Sequence, residues 1–253
     1  MMRPMRMLLP SLMGLILLWG CGYKVGYRHF AGPILPAPDQ TQNLEVGDDH
    51  SITFKLDRLE ISLRPMTDEI LNRQFAGHST ARPGFYQNPS VSLSNPYTYG
   101  SWKPLGKERA PNRFTVFQLK VKNYAFPKVR VDPSKIYIDA PNKRHYPVLS
   151  LAALIEYYWP YAVGYSGVTY KYFQEREDLL RKTLYRDKMI FSGQENEGYI
   201  VFPTLDYDVE EFTIWIENIA LRFDYRDEPV EAVKVPYLFR REIYLAARSP
   251  RPE

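Results

Sequence analysis

A single cysteine, Cys21, stands in a chain of 253 residues, so no intramolecular disulfide can form and the folded part rests on its apolar core. Histidine is nearly as sparse. His29, His50, His78 and His145 are scattered, with no HExxH and no i, i+4 pair, so a zinc site has no support in the sequence. No GxSxG elbow, phosphate-cradling glycine loop or dinucleotide fingerprint occurs, and Ser166 in Gly164-Tyr165-Ser166-Gly167 has no elbow around it. These absences leave no catalytic residue to assign and no cofactor to expect. Charge of one sign is missing too: 33 Lys and Arg face 29 Asp and Glu, and the net +4 falls to +2 if Arg3 and Arg6 leave with a cleaved N-terminus. Nucleic acid is therefore not an expected partner, since it needs basic residues massed on one face. Nor does any apolar run reach the roughly 20 residues that cross a hydrocarbon core.

What is present is a chain 45% apolar and 15% aromatic, with 20 tyrosines and 21 prolines, a balance that suits strands and ordered loops. Its first twenty residues follow the order of an export signal: Arg3 and Arg6, an apolar run from Met7 to Trp19, then Gly20 before Cys21. Leu18-Trp19-Gly20-Cys21 resembles the lipobox of bacterial lipoproteins, with Leu18 and Gly20 as the cleavage residues; Trp19 departs from the small residue usual there. The resemblance implies cleavage before Cys21, lipid attachment to its thiol (palmitate among the acyl groups) and a membrane partner through that lipid. An uncleaved signal anchor is the alternative. Gly22 is not the aspartate that retains such proteins at the inner membrane, so the resemblance implies an outer-membrane location facing the periplasm.

Residues 21–50, with Pro33, Pro36, Pro38 and Gly47-Asp48-Asp49, read as a lipidated cysteine and a semi-extended tether. A domain is expected over 51–245. Ile52, Phe54 and Leu56 share one parity and Leu59, Ile61 and Leu63 the other, so a bulge or two short strands meet at Asp57-Arg58. A brief helix from Thr67-Asp68-Glu69 to Phe75 leads into a long loop, 76–112. Phe114 to Asn123 is the clearest strand. Strands at 129–131, 136–138 and 145–148 precede a helical insert at 150–186. There Ser150 caps a helix bearing Leu151, Leu154, Ile155 and Tyr158 that should stop before Pro160. Met189–Phe191 and Tyr199–Phe202 read as a hairpin across a polar loop, Phe212–Phe223 and Val230–Ile243 as a strand pair, and 246–253 as a flexible tail. The expected class is mainly β: an immunoglobulin-like antiparallel β-sandwich with a two-helix insert.

Val121-Lys122-Asn123, Gly198 to Pro203 and the Ile214–Phe223 strand together resemble the telokin-like immunoglobulin-fold domains of bacterial lipoproteins, over roughly 51–64 and 113–243. That family implies no catalytic residues. Two features invite a functional reading. Asp206-Tyr207-Asp208-Val209-Glu210-Glu211 spaces carboxylates as calcium ligands are spaced, but lacks the loop glycine, and a solvated strand entry is the alternative. Tyr157, Tyr158, Trp159, Tyr161, Tyr165 and Tyr170 form an aromatic patch, either a binding surface for glycan, peptide or lipid or a seal between insert and sandwich. Tyr86, Tyr97, Tyr99 and Trp102 are a second such group.

The function these readings suggest is a non-enzymatic, membrane-anchored envelope lipoprotein that binds a protein partner or an envelope polymer. Two alternatives stand beside it. One is an outer-membrane assembly lipoprotein, because Cys21-Gly22-Tyr23 resembles the start of mature lipopolysaccharide-assembly lipoproteins. The other is an envelope enzyme acting on glycan or peptide.

Overall fold

The computed structural model describes residues 27–41, 43–75, 95–97, 114–163 and 168–247. Strands β1 (Tyr27–Ala31), β2 (Leu35–Pro36), β3 (Leu44–Val46), β4 (Ile52–Leu56) and β5 (Leu59–Pro65) precede helix α1 (Asp68–Phe75). Then come β6 (Thr115–Asn123), β7 (Lys128–Arg130), β8 (Ile136–Ala140) and β9 (Arg144–Pro147). The insert is α2 (Leu151–Val163) and α3 (Val168–Thr183). The chain ends with β10 (Met189–Phe191), β11 (Gln194–Phe202), β12 (Glu211–Phe223), β13 (Pro229–Arg240) and β14 (Ile243–Ala247).

Two antiparallel sheets face each other across an apolar core, giving a mainly β sandwich with a two-helix insert. One sheet runs β11-β6-β5-β4-β3, the other β10-β7-β12-β13-β2, with β8 and β9 added beside β12. Period-two alternation builds the inner faces. Leu59, Ile61 and Leu63 of β5 and Phe117, Leu119 and Val121 of β6 are fully buried against Ile138, Ile214, Ile216, Tyr237 and Phe239 of the other sheet. The parity switch at Asp57-Arg58 is a tight hairpin between β4 and β5, with Asp57 at φ 54°. A second switch lies inside β12. Asn218 sits at φ 57° in a register shift, so Ile214 and Ile216 before it and Ile219 and Leu221 after it all face the core.

On β11 the alternation stops, and residues 198–202 are all buried. Ile200 and Phe202 face the sandwich core, while Tyr199 and Val201 face a second core on the outer side of that sheet. Leu71 and Phe75 of α1, Leu154 of α2 and Phe173 and Leu180 of α3 complete this second core. The insert therefore covers an outer sheet face and does not stand apart from it.

Four expectations need correcting. The stretch 27–46 is not a tether: β1 pairs with β14, β2 with β13 and β3 with β4. Strands of two to five residues leave no readable period, and the partners of β1 and β2 lie far along the chain. By the same pairing Ala246 and Ala247 belong to β14; residues 248–253 of the expected tail lie outside the described residues. The Met189–Phe202 hairpin is a corner between sheets, since β10 pairs with β7 and β11 with β6. Of its expected loop, Ser192–Gly198, residues 194–198 are strand, and Lys120 of β6 meets Glu195 at 2.9 Å and Glu197 at 3.6 Å across the ladder. Finally, α2 runs through Pro160 to Val163. The proline removes one amide donor within the last turn or so, a local cost that leaves the buried Leu154 and its neighbours Leu151 and Ile155 packed.

Candidate functional site

The aromatic patch divides on inspection. Tyr157 is half-buried, with its ring 4.7 Å from that of Phe114, and so seals the insert against the sandwich. Trp159 is half exposed and meets Phe173 edge-on at 5.7 Å. Tyr158, Tyr161 and Tyr170 lie on α2 and α3 with side chains outside the described residues, and Tyr165 lies outside them altogether. Of the second group, Tyr97 is core. It is fully buried, stacks edge-on with Tyr199 at 5.1 Å and shares a hydrogen bond of 2.5 Å with the Thr183 hydroxyl. Tyr86, Tyr99 and Trp102 lie outside the described residues, as do Leu18, Gly20, Cys21, Ser166 and His78.

The acidic run before β12 is tied down by arginine. Arg144 of β9 pairs with Asp206 at 3.1 Å and with Asp208, and its hydrogen bond holds the Asp208 carboxyl below the usual range. Tyr146 donates to Asp206 at 2.9 Å. Buried Arg241 donates to the carbonyls of Val209 at 2.8 Å and Leu205 at 3.2 Å, closing the segment onto β13. Among the described residues no three His, Cys, Asp or Glu side chains converge as metal ligands would.

A surface that the sequence reading passed over lies on the outer face of the second sheet. Tyr137 of β8 and Trp215 of β12 are cross-strand partners on that face. The Lys234 ammonium sits 4.1 Å from the Trp215 ring centre and 2.5 Å from Glu217, and donates to the Tyr137 hydroxyl at 2.9 Å. Tyr137 in turn donates to Glu217 at 2.6 Å, and its ring lies 4.6 Å from that of His145, which bonds Asp139 at 2.9 Å. Hydrogen bonds from Lys234 and then Tyr137 hold the Glu217 carboxyl below its ordinary value. The signal was available: Tyr137 and Trp215 alternate with the core residues Ile136, Ile138, Ile214 and Ile216 and so had to point outward.

Between insert and sandwich lies a cleft of about 490 Å³. Its lining is largely apolar and includes Val148, Leu149, Leu151, Leu180 and Leu184. Ser150 at its edge accepts the Ala153 amide at 3.1 Å, the expected cap of α2. Arg181 and Arg186 stand at the rim.

Among the described residues no helix is long and apolar enough to cross a membrane. No protein-family model matches the chain, and no curated protein does. Among solved structures, the collagen adhesin (CNA) from S. aureus is 8% identical, aligned over 88% of this chain and 83% of its own, with a TM-score of 0.20. A superposition that loose carries no argument, and the sandwich stands on its own strand pairing.

Proposed function

We propose that this chain is a lipid-anchored lipoprotein of a bacterial cell envelope, held through Cys21, whose sandwich binds a protein partner or an envelope polymer and performs no chemistry of its own. The observation that carries the reading is positional. The lone cysteine follows a short apolar run and precedes by six residues a strand, β1, that pairs with the last strand of the folded body. Six extended residues span at most about 20 Å. A lipid on Cys21 would thus hold β1 within about 20 Å of the anchor and would favour partners at the same membrane. The outer membrane, facing the periplasm, is the proposed site. Half-exposed Trp159 on the insert and the Tyr137–Trp215 face, whose rings lie beside Lys234 and Glu217, are the binding surfaces the geometry offers.

Crosslinking in intact cells, with mass spectrometry of the products, tests the proposal. The wild type should sediment with envelopes and yield a reproducible partner or polymer adduct. Cys21→Ala should lose both, while Trp215→Ala or Trp159→Ala should lose the adduct alone. A wild-type protein recovered in the soluble cytoplasmic fraction would overturn it.

A further inference from the structure

The cleft between insert and sandwich has walls that suit one kind of occupant. Val148, Leu149, Leu151 and Leu184 are only half-buried there, so apolar surface lines a concavity open to solvent, backed by buried Leu180. The backbone offers a polar ligand little. The Val148 amide is bonded to Ile136 at 3.3 Å and the Leu149 amide to Val201 at 2.7 Å. A volume of about 490 Å³ falls in the range of small-molecule sites, which are mostly apolar with a few polar groups to orient the ligand.

The rim sets the charge of the occupant. Among the described residues, Arg181 and Arg186 are the charged residues of the lining and no carboxylate lines the cleft. Arg181 is shared with Glu177, one helical turn back. Arg186 donates to the Arg181 carbonyl and has no carboxylate partner among the described residues. An arginine so placed takes a planar carboxylate well, in two parallel hydrogen bonds. We propose that the cleft binds a long-chain fatty acid, its acyl chain along the apolar side chains of Val148, Leu149, Leu151, Leu180 and Leu184 and its carboxylate at Arg186 and Arg181. The inference goes beyond anchoring and holds whether or not Cys21 carries lipid.

The test uses the full chain, purified in mild detergent from whole cells so that it does not depend on membrane attachment. A diazirine-bearing palmitate is added after purification, so that its label cannot arrive by acylation of Cys21. After irradiation, adducts should concentrate on peptides containing residues 148–151 and 180–186. The double substitution Arg181→Gln, Arg186→Gln should weaken apparent binding of the acid by about tenfold and leave labelling by the matching alcohol unchanged. Leu151→Trp, which fills the cleft, should abolish labelling by both probes. Should that variant fail to fold by circular dichroism, the surface arginine pair still decides the matter. Adducts spread along the chain in proportion to exposure would overturn the proposal. So would equal loss of acid and alcohol labelling in the arginine variant, or photoproducts joining the cleft to residues 76–112, which would make the chain's own segment the occupant.

Discussion

Single side chains hold the corners of this sandwich, and Asn123 is the clearest case. It is fully buried at the end of β6, where its amide donates to the carbonyls of Phe126 at 2.8 Å and Ile190 at 2.9 Å and its oxygen accepts the Phe126 amide at 2.9 Å. It thereby fixes both the turn after β6 and the strand β10 that crosses between sheets. Asn123→Ala leaves those buried groups without partners, and the expected loss is about 2–4 kcal/mol in urea unfolding, with no change in m-value. Glu217 acts more weakly and on the surface. Its folded carboxyl titrates below its ordinary value because Lys234 and Tyr137 bond the ionised form. The sign follows from linkage: that stabilisation is fully present above the unfolded value and fades as pH falls through the folded one. The stability difference between wild type and Glu217→Gln should be level above about pH 6 and shrink below about pH 4. With both partners part exposed, it should amount to a few tenths of a kcal/mol.

Elements were legible where a period had room to repeat. β6, with Phe117, Leu119 and Val121 inward, and α3, with Phe173 and Leu180 inward and the Glu177–Arg181 and Asp178–Lys182 pairs outward, stand close to the expected positions. β1, β2 and β3 were not legible, because each is too short to show a period, and β1 and β2 also owe their form to partners far along the chain. Gln40 shows how such pairing is extended without a strand: its amide donates to the Leu238 carbonyl at 2.7 Å and accepts the Leu238 amide at 3.3 Å. The reading of Gln194–Glu197 as loop failed for a different reason. Polar residues at strand positions look like a turn until the lysines opposite them are known. The outward pair Tyr137 and Trp215 was implicit in the alternation, but their meeting required the register of β8 against β12. The cleft was out of reach, since its walls come from the entry to α2, the exit of α3 and β11. One consequence follows for the β1–β14 ribbon. Ending the chain after Glu242 removes the partner of β1, so limited proteolysis should cut near Tyr27–Ala31 while the β4-to-β13 body keeps its circular dichroism and most of its stability.

For the whole molecule, the ribbon joins the first and last strands of the described residues. β1 begins six residues after Cys21, Tyr27 pairs with Ala247, and β2 continues the pairing onto β13 of the second sheet. An anchor at Cys21 would therefore bear on the body through β1 and its backbone hydrogen bonds to β14. The proposed binding surfaces and the proposed fatty-acid cleft lie on that body, and an anchor at Cys21 would set how they meet a membrane. The most direct measurement is the mass of the N-terminal peptide of the protein purified from its native membrane. The account predicts a peptide that begins at Cys21 and carries a diacylglyceryl group, and an unprocessed, unlipidated chain in Cys21→Ala. A wild-type peptide that begins at Met1, or one that contains Cys21 without lipid, would contradict it.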